Sequence, residues 1–422
     1  MVVIPAIHSI ITEGVYMKHK NSKKKWVRTR HRFITNVAGA FFLPYVRLRY
    51  GISIKRFKEQ KNRPYLILYN HQTAYDQFFV AAAFRNAVYY VASEDIFSLG
   101  WLSSLIRYLV APIPIKKQTT DIQAVMNCMR VAKEGGTIAI APEGNRTYSG
   151  KTEYINPAIA RLAKALKLPI AFFRIEGGYG VHPRWSDVIR RGKMRAFVSR
   201  VVEPEAILDM TDEELMTLIR KELYVNEASV KGVFRHRKSA EYLERAIYVC
   251  PYCGLSTFYS HNDTITCTKC DRRIHYLPTK ELKGAGFSFP FRFVAEWYDY
   301  QCDFVNKLDT REFLTEPIYQ DTAAISMVFL QQNKLILHEE AWLSLYGNRI
   351  VITGSDGTEM NFPFNEVSAV TVLGKNKLNI YHGTKVYQIK GDERFNALKY
   401  VNIFYRNKNI SKENEHGKFL GL

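Results

Sequence analysis

From residue 63 to about 205 the chain switches repeatedly between short apolar runs and helix-period segments, and few folds accept that pattern. PYLILY (64–69), AVYYVA (87–92), TIAIAPE (137–143) and PIAFFRI (169–175) read as strands. TAYDQFFVAAAF, IFSLGWLSSLIRYLV and NPAIARLAKALK read as helices between them, and PIPI (112–115) as a short extended piece. DIQAVMNCMRVAKEGG places Ile122, Val125, Met126 and Met129 on one helical face and closes on glycines, a C-cap pattern. Such alternation predicts an α/β domain with a mostly parallel central sheet.

The chain is long for one core at 422 residues, so two or three domains are expected. Thr211–Glu214 reads as a capping box opening a helix to about Asn226. Residues 227–249 are polar and read as a linker or connecting helix, and 277–320 as a helical connector. From about Ala323 the period becomes two, with GSDG (354–357) as the best hairpin turn, and ERFNALKYVNIFYRN (393–407) reads as a closing helix. This predicts a small antiparallel β domain over 321–410, followed by a tail at 411–422.

The charge balance is 60 Lys+Arg against 40 Asp+Glu, a net +20 that attracts anions. Lys18 to Arg32 holds eight basic residues and no acid, directly before the apolar run FITNVAGAFFLPYV (33–46). That run is too short for a bilayer crossing, which needs about 20 residues, and it contains Pro44. Residues 1–46 are therefore expected to dock on anionic membrane lipids, although a solvated basic arm has the same composition. The start, MVVIPAIHSIITEG, shows no secretory signal pattern, so the six cysteines are expected in a reducing setting.

Four of them form C-x2-C-x13-C-x2-C: Cys250, Cys253, Cys267 and Cys270. Two tight Cys-x-x-Cys turns can present four thiolates tetrahedrally, so a zinc ribbon over 250–276 is expected, with a filled and hence structural zinc (Zn) site. His261 and His275 read as strand or surface residues, and Cys128 and Cys302 as small core residues. The segment 250–276 is close to neutral, a poor footprint for phosphates, so no nucleic acid partner is expected. A nucleic-acid-binding protein using ribbon and basic arm is the alternative.

Chemistry concentrates in LYNHQTAYDQFF (68–79), where His71 and Asp76 flank a strand-to-helix transition. A continuous helix would leave residues five apart on different faces, but a loop can bring them together. The carboxylate would then fix the tautomer of a histidine acting as general base. Alone, the spacing is equally that of a first-turn acid favoured by the helix dipole and a satisfied loop histidine. APEGNRTYSG (141–150) follows another predicted strand, and its glycine turn with Arg146 would make an anion site at a strand's carboxyl end.

Together these stretches resemble the glycerophospholipid acyltransferase family, the lysophosphatidic acid acyltransferases and their relatives. NHQTAYD (70–76) matches the family's NHxxxxD block and PEGNRT (142–147) its PEGTRS block. GWLSSLIRYLVAPIPIKK (100–117) and LPIAFFRIEG (168–177) are similar to its second and closing blocks. Ala111 and Lys117 replace a usual Gly and Arg, and Asn145 and Thr147 a usual Thr and Ser. The resemblance implies an acyltransferase domain over 47–226. Acyl-CoA or acyl-carrier protein would be donor and co-substrate, and a lysophospholipid the acceptor. It implies that His71 deprotonates the acceptor hydroxyl and Asp76 orients it. Glu143, Gly144, Asn145, Arg146 and Lys117 would bind the substrate. The product would be phosphatidic acid if the acceptor is 1-acylglycerol 3-phosphate; glycerol 3-phosphate, another lysolipid or a lipid amino acid are other acceptors. The setting implied is the cytoplasmic face of a membrane, peripheral or monotopic. The later β domain resembles a pleckstrin-homology (PH) or GRAM module in pattern alone.

Overall fold

The computed structural model describes residues 25–93, 101–115, 121–328 and 334–412. Residues 18–24 of the basic arm and Lys117 lie outside them.

The chain enters through helix α1 (Thr29–Tyr50), stopped by Gly51 in the left-handed region with φ 58°. Next come β1 (Ile52–Ile54), β2 (Leu66–Tyr69), α2 (Asp76–Ala83), β3 (Val88–Ser93), α3 (Trp101–Leu109) and β4 (Ile113–Ile115). They are followed by α4 (Ile122–Lys133), β5 (Thr137–Ile140), α5 (Ala158–Leu166), β6 (Ile170–Glu176), α6 (Gly178–Val181), β7 (Met194–Val202), α7 (Pro204–Asp209) and α8 (Asp212–Leu223).

The seven strands lie in the order β1-β7-β6-β2-β5-β3-β4. Every pairing is parallel except β6 with β7. The central strands β2 and β5 are wholly buried, so apolar residues run through them without alternation. Leu66, Leu68, Ile138 and Phe172 pack with α4, α5 and α8 residues such as Val131, Ala163 and Ile219. The intervening Ile67, Tyr69, Ala139 and Phe173 pack on the other side with Val46, Tyr50, Phe79 and Val80 of α1 and α2. Parallel β2, β5 and β6 lie side by side, so the loops after Tyr69, Ile140 and Glu176 gather at one end of the sheet.

The apolar stripe Ile122, Val125, Met126 and Met129 shares a face of α4 as expected; that face is exposed, and Ala124, Cys128 and Val131 are the buried residues. Two expectations need correction. The boundary between 46 and 47 falls inside α1, which continues unbroken and packs on α2, α3 and β1. Residues 227–249 form no α-helix and are no solvated linker: Phe234, Ala240, Leu243, Ala246, Ile247 and Tyr248 are buried.

Beyond the short β8 (Val249–Cys250) and β9 (Gly254–Leu255) lies an antiparallel sheet of four strands. These are β10 (Phe258–His261), β11 (Thr264–Cys267), β12 (Arg273–Tyr276) and β13 (Leu282–Gly284). Helix α9 (Val294–Lys307) leads to β14 (Tyr319–Val328), β15 (Leu335–Leu345), β16 (Arg349–Gly354), β17 (Glu359–Pro363), β18 (Val367–Leu373), β19 (Lys377–His382) and β20 (Lys385–Gly391). These seven form an antiparallel sheet in the order β17-β16-β15-β14-β20-β19-β18, closed by α10 (Ala397–Ser411). One hydrophobic core joins this sheet, the cysteine-bearing strands and Tyr148, Tyr179 and Trp185 of the α/β half.

Candidate active site

The strand-to-loop step after β2 is fixed by Asn70. Its side-chain amide donates to Ile175 O and its carbonyl accepts from Ile175 N, both at 2.8 Å. That two-way clamp ties the next residue, His71, to the end of β6. Asp76, the first residue of α2, then folds its carboxylate back over the loop. It accepts from Gln72 N at 2.6 Å, from Thr73 N at 2.9 Å and from Thr73 Oγ1 at 2.6 Å. Its remaining contact is His71 Nδ1 at 2.8 Å. The carboxylate is fully buried, whereas the His71 side chain is 23% exposed. With an ionised acceptor at Nδ1, the neutral imidazole carries its proton there and presents an unprotonated Nε2. Among the described residues no group bonds Nε2.

The loop after β5 is pinned to the same residue from both sides. Glu143 Oε1 accepts from His71 N at 2.8 Å, and Thr147 N donates to His71 O at 3.3 Å. Glu143 Oε2 accepts from Glu153 N at 3.0 Å, which closes the loop on itself. Burial pushes the Glu143 carboxyl up to about 8. Gly144 has φ 71°, but its amide donates to Ala141 O at 3.0 Å in a tight turn. The amide expected to hold an anion is therefore already used. Asn145 sits part-buried in this loop.

Arg146 keeps a buried Nη1 with no partner, an orphaned cationic donor of the kind an anionic group would satisfy. Burial, then repulsion from Arg184, brings its pKa down to about 10, against the attraction of Asp76. Arg184 donates to Arg146 O at 3.0 Å and stacks over the Tyr148 ring at 4.2 Å. Burial, then the Arg146 charge, depresses His182 to about 3, so it is a neutral ring, 3.3 Å from Tyr50 Oη. The last contributor comes from the β18–β19 turn. Gly374 O accepts from Arg184 Nε at 3.2 Å, and Lys375 Nζ bonds Ser186 O and Asp187 Oδ1, each at 2.7 Å.

The structure thus brings His71, Asp76 and Glu143 into direct contact, with Arg146 in the same loop. Sequence reasoning missed Asn70 and Thr73, although both stand inside the quoted motif. It also missed His182, Arg184 and Lys375, which no local pattern marks. The second group is separate: the thiols of Cys250, Cys253, Cys267 and Cys270 lie within 4.8 Å of one another. His261 and His275 lie in β10 and β12, outside that cluster.

No curated protein matches the chain. A crystal structure of the 1-acyl-sn-glycerophosphate (LPA) acyltransferase PlsC from Thermotoga maritima is similar at 19% identity and TM-score 0.40, over 47% of this chain and 79% of that one. The solution structure of the N-terminal PH domain of human ARAP2 is similar at 12% identity and TM-score 0.20, over 24% and 90%. Neither score reaches 0.5, so the fold stands on the topology above. The family described as Acyltransferase matches residues 53–175. That span, which is similar to the Acyltransferase family, holds His71, Asp76, Glu143 and Arg146 together.

Proposed function

We propose that the chain is an O-acyltransferase moving a fatty acyl group from an acyl thioester to the free hydroxyl of a lysophospholipid, with 1-acylglycerol 3-phosphate as acceptor and phosphatidic acid as product. The observation that carries this reading is the buried Asp76 carboxylate on His71 Nδ1 at 2.8 Å, beside the partnerless Nη1 of Arg146. Nε2 of His71 takes the hydroxyl proton as the acceptor oxygen attacks the thioester carbonyl. The carbon–sulfur bond breaks, and the proton passes from Nε2 to the departing thiolate. Asp76 holds the imidazolium formed between these steps. Arg146 and Asn145 face the acceptor phosphate, and Glu143 shapes their loop.

We place the chain at the cytoplasmic leaflet of a membrane, and helix α1 supports the membrane setting. Phe33, Val37, Phe41, Tyr45 and Leu48 recur at three- and four-residue spacing along it and are all exposed. Among the described residues no helix is long and apolar enough to cross a membrane.

The four cysteines suit one zinc ion in a structural role. Tetrahedral thiolates about 2.3 Å from zinc stand roughly 3.8 Å apart. Cys250 and Cys270 Sγ lie 3.9 Å apart, far beyond a disulfide bond. Seven antiparallel strands closed by α10 suit a PH-like module. The deciding experiment incubates the protein with a panel of lysolipids and labelled acyl-CoA and identifies products by mass spectrometry. His71→Ala is expected to abolish transfer while the circular dichroism stays unchanged; activity retained in that variant defeats the reading.

A further inference from the structure

A groove of about 570 Å³ lies apart from the His71 loop and is lined by Arg49, Arg191, Arg235, His236 and Arg237. Its charges come from three parts of the chain. Arg49 is in the last turn of α1, Arg191 precedes β7, and the other three stand in the 227–249 connector. The lining contains no acid. Glu241, the acid nearest Arg235 and Arg237 in sequence, is paired with Lys238 at 3.0 Å. Among the described residues, Arg49, Arg191, Arg235 and Arg237 form no ion pair with a carboxylate.

The groove is built rather than frayed. Arg191 and Arg235 face each other in an antiparallel bridge, with reciprocal backbone bonds of 3.0 and 2.8 Å. Residues directly opposite in such a pair stand within about 5.5 Å at Cβ, and like charges there are destabilising. The register is locked by Phe234, which is buried and bonds Pro278 O at 2.7 Å. Its ring fills space left by Gly180 and Gly192, where an added Cβ would meet it at 2.5 and 2.2 Å. The fold therefore holds four guanidinium groups around one hollow with no internal counter-charge. Burial, then repulsion from Arg190 and Arg49, also keeps His236 below its ordinary pKa.

Guanidinium forks match phosphate oxygens in pairs, and several converging on one hollow favour a doubly charged phosphate monoester over a singly charged diester. The position favours a lipid as its source. Arg49 follows directly on Leu48, which ends the exposed apolar stripe of α1 and is 89% exposed. A groove mouth beside that helix end sits at headgroup level when the stripe meets a bilayer. We propose that this arginine groove is a second lipid site, binding the phosphomonoester headgroup of an anionic membrane lipid. It does not rest on acyl transfer, and none of its arginines touches the His71 loop in the contacts described above.

The test uses the full chain and vesicles of phosphatidylcholine containing either phosphatidylinositol 4-phosphate or the same fraction of phosphatidylinositol. The two differ by one phosphomonoester. Cosedimentation is expected to favour the first. Arg191→Gln/Arg235→Gln/Arg237→Gln should weaken that binding by roughly two orders of magnitude. Its circular dichroism and its acyl transfer to acceptor in detergent should match the parent. Should the triple variant misfold, Arg237→Gln alone is expected to weaken binding roughly fivefold. Equal binding of the parent to both vesicles overturns the proposal, as does an unchanged affinity in a folded variant. Binding of inorganic phosphate by the groove without preference for the monoester vesicle overturns the lipid assignment.

Discussion

The backbone amide of His71 donates to Glu143 Oε1 at 2.8 Å, so one side chain from the loop after β5 sets the height of the loop after β2. The same carboxyl receives Glu153 N at 3.0 Å. Burial raises Glu143 to about 8, above its ordinary 4.5. The folded state then holds a proton that an unfolded glutamate has released. That contribution is full below about 4.5 and is lost as pH rises through about 8. Glu143→Gln removes the titration. The parent is expected to lose stability relative to the variant by up to about 1.4 kcal/mol per pH unit across this window. Melting curves of both proteins from about pH 5 to pH 9 check it. A gap that stays flat means that the two N–H donors keep Glu143 ionised throughout.

Asp76→Asn tests orientation separately from bulk. The amide nearly preserves shape but offers one acceptor where the carboxylate serves Gln72 N, Thr73 N, Thr73 Oγ1 and His71 Nδ1. An NH2 turned toward His71 selects the tautomer protonated on Nε2, which cannot act as base. Turnover is expected to fall by about 10²–10⁴, with KM little changed. Stability should drop by about 1–3 kcal/mol, from donors left unpaired in a buried loop. Steady-state kinetics and melting on one preparation read both. Turnover near that of the parent would show that His71 works without its carboxylate.

The strand order and the His71–Asp76 contact differ in how far the sequence reveals them. Buried parallel strands such as LILY and TIAI carry their environment in their composition, and a loop-to-helix step places residues 71 and 76 within reach. The outward face of α4 was hidden because Ile122, Val125, Met126 and Met129 carry the stronger helical stripe, yet smaller Ala124 and Cys128 fit against the sheet. Arg184 and Lys375 were hidden for another reason. Their neighbours lie 38 and 188 residues away, and no local periodicity encodes such a contact.

For the cysteine cluster, the expected outcome is one zinc per chain by mass-spectrometric metal analysis, lost in Cys250→Ser. Cys250 and Cys267 are both buried in the core that also contains Phe258, Trp297 and Tyr319. Metal loss should therefore lower the melting temperature of the C-terminal half rather than act at His71 alone. Unchanged zinc content in Cys250→Ser would remove the assignment.

Arg245 joins the two halves, and its removal gives the sharpest stability prediction. Its guanidinium is buried and donates to Trp185 O at 2.9 Å, to both Asp187 oxygens at 2.7 and 3.0 Å, and to Glu393 O at 2.6 Å. Burial alone would raise the Asp187 carboxyl, yet hydrogen bonds from Arg245 and Lys375 hold it at about 2. Arg245→Met keeps the volume and strands three carbonyl or carboxylate acceptors. Asp187 is 40% exposed and retains Lys375, so water recovers part of the loss. The expected cost is about 2–3 kcal/mol, below that of breaking a fully buried pair. The linkage runs opposite to that of Glu143. A carboxylate held below its ordinary 3.8 contributes stability above that value and loses it as pH falls through about 2. The gap between parent and Arg245→Met should therefore be full at neutral pH and narrow in acid. Since Tyr148, Tyr179 and Trp185 belong to the C-terminal core, weakening this joint should also expose the 227–249 connector to limited proteolysis. A variant that melts with the parent and resists the protease equally would show that the shared apolar core alone holds the halves together.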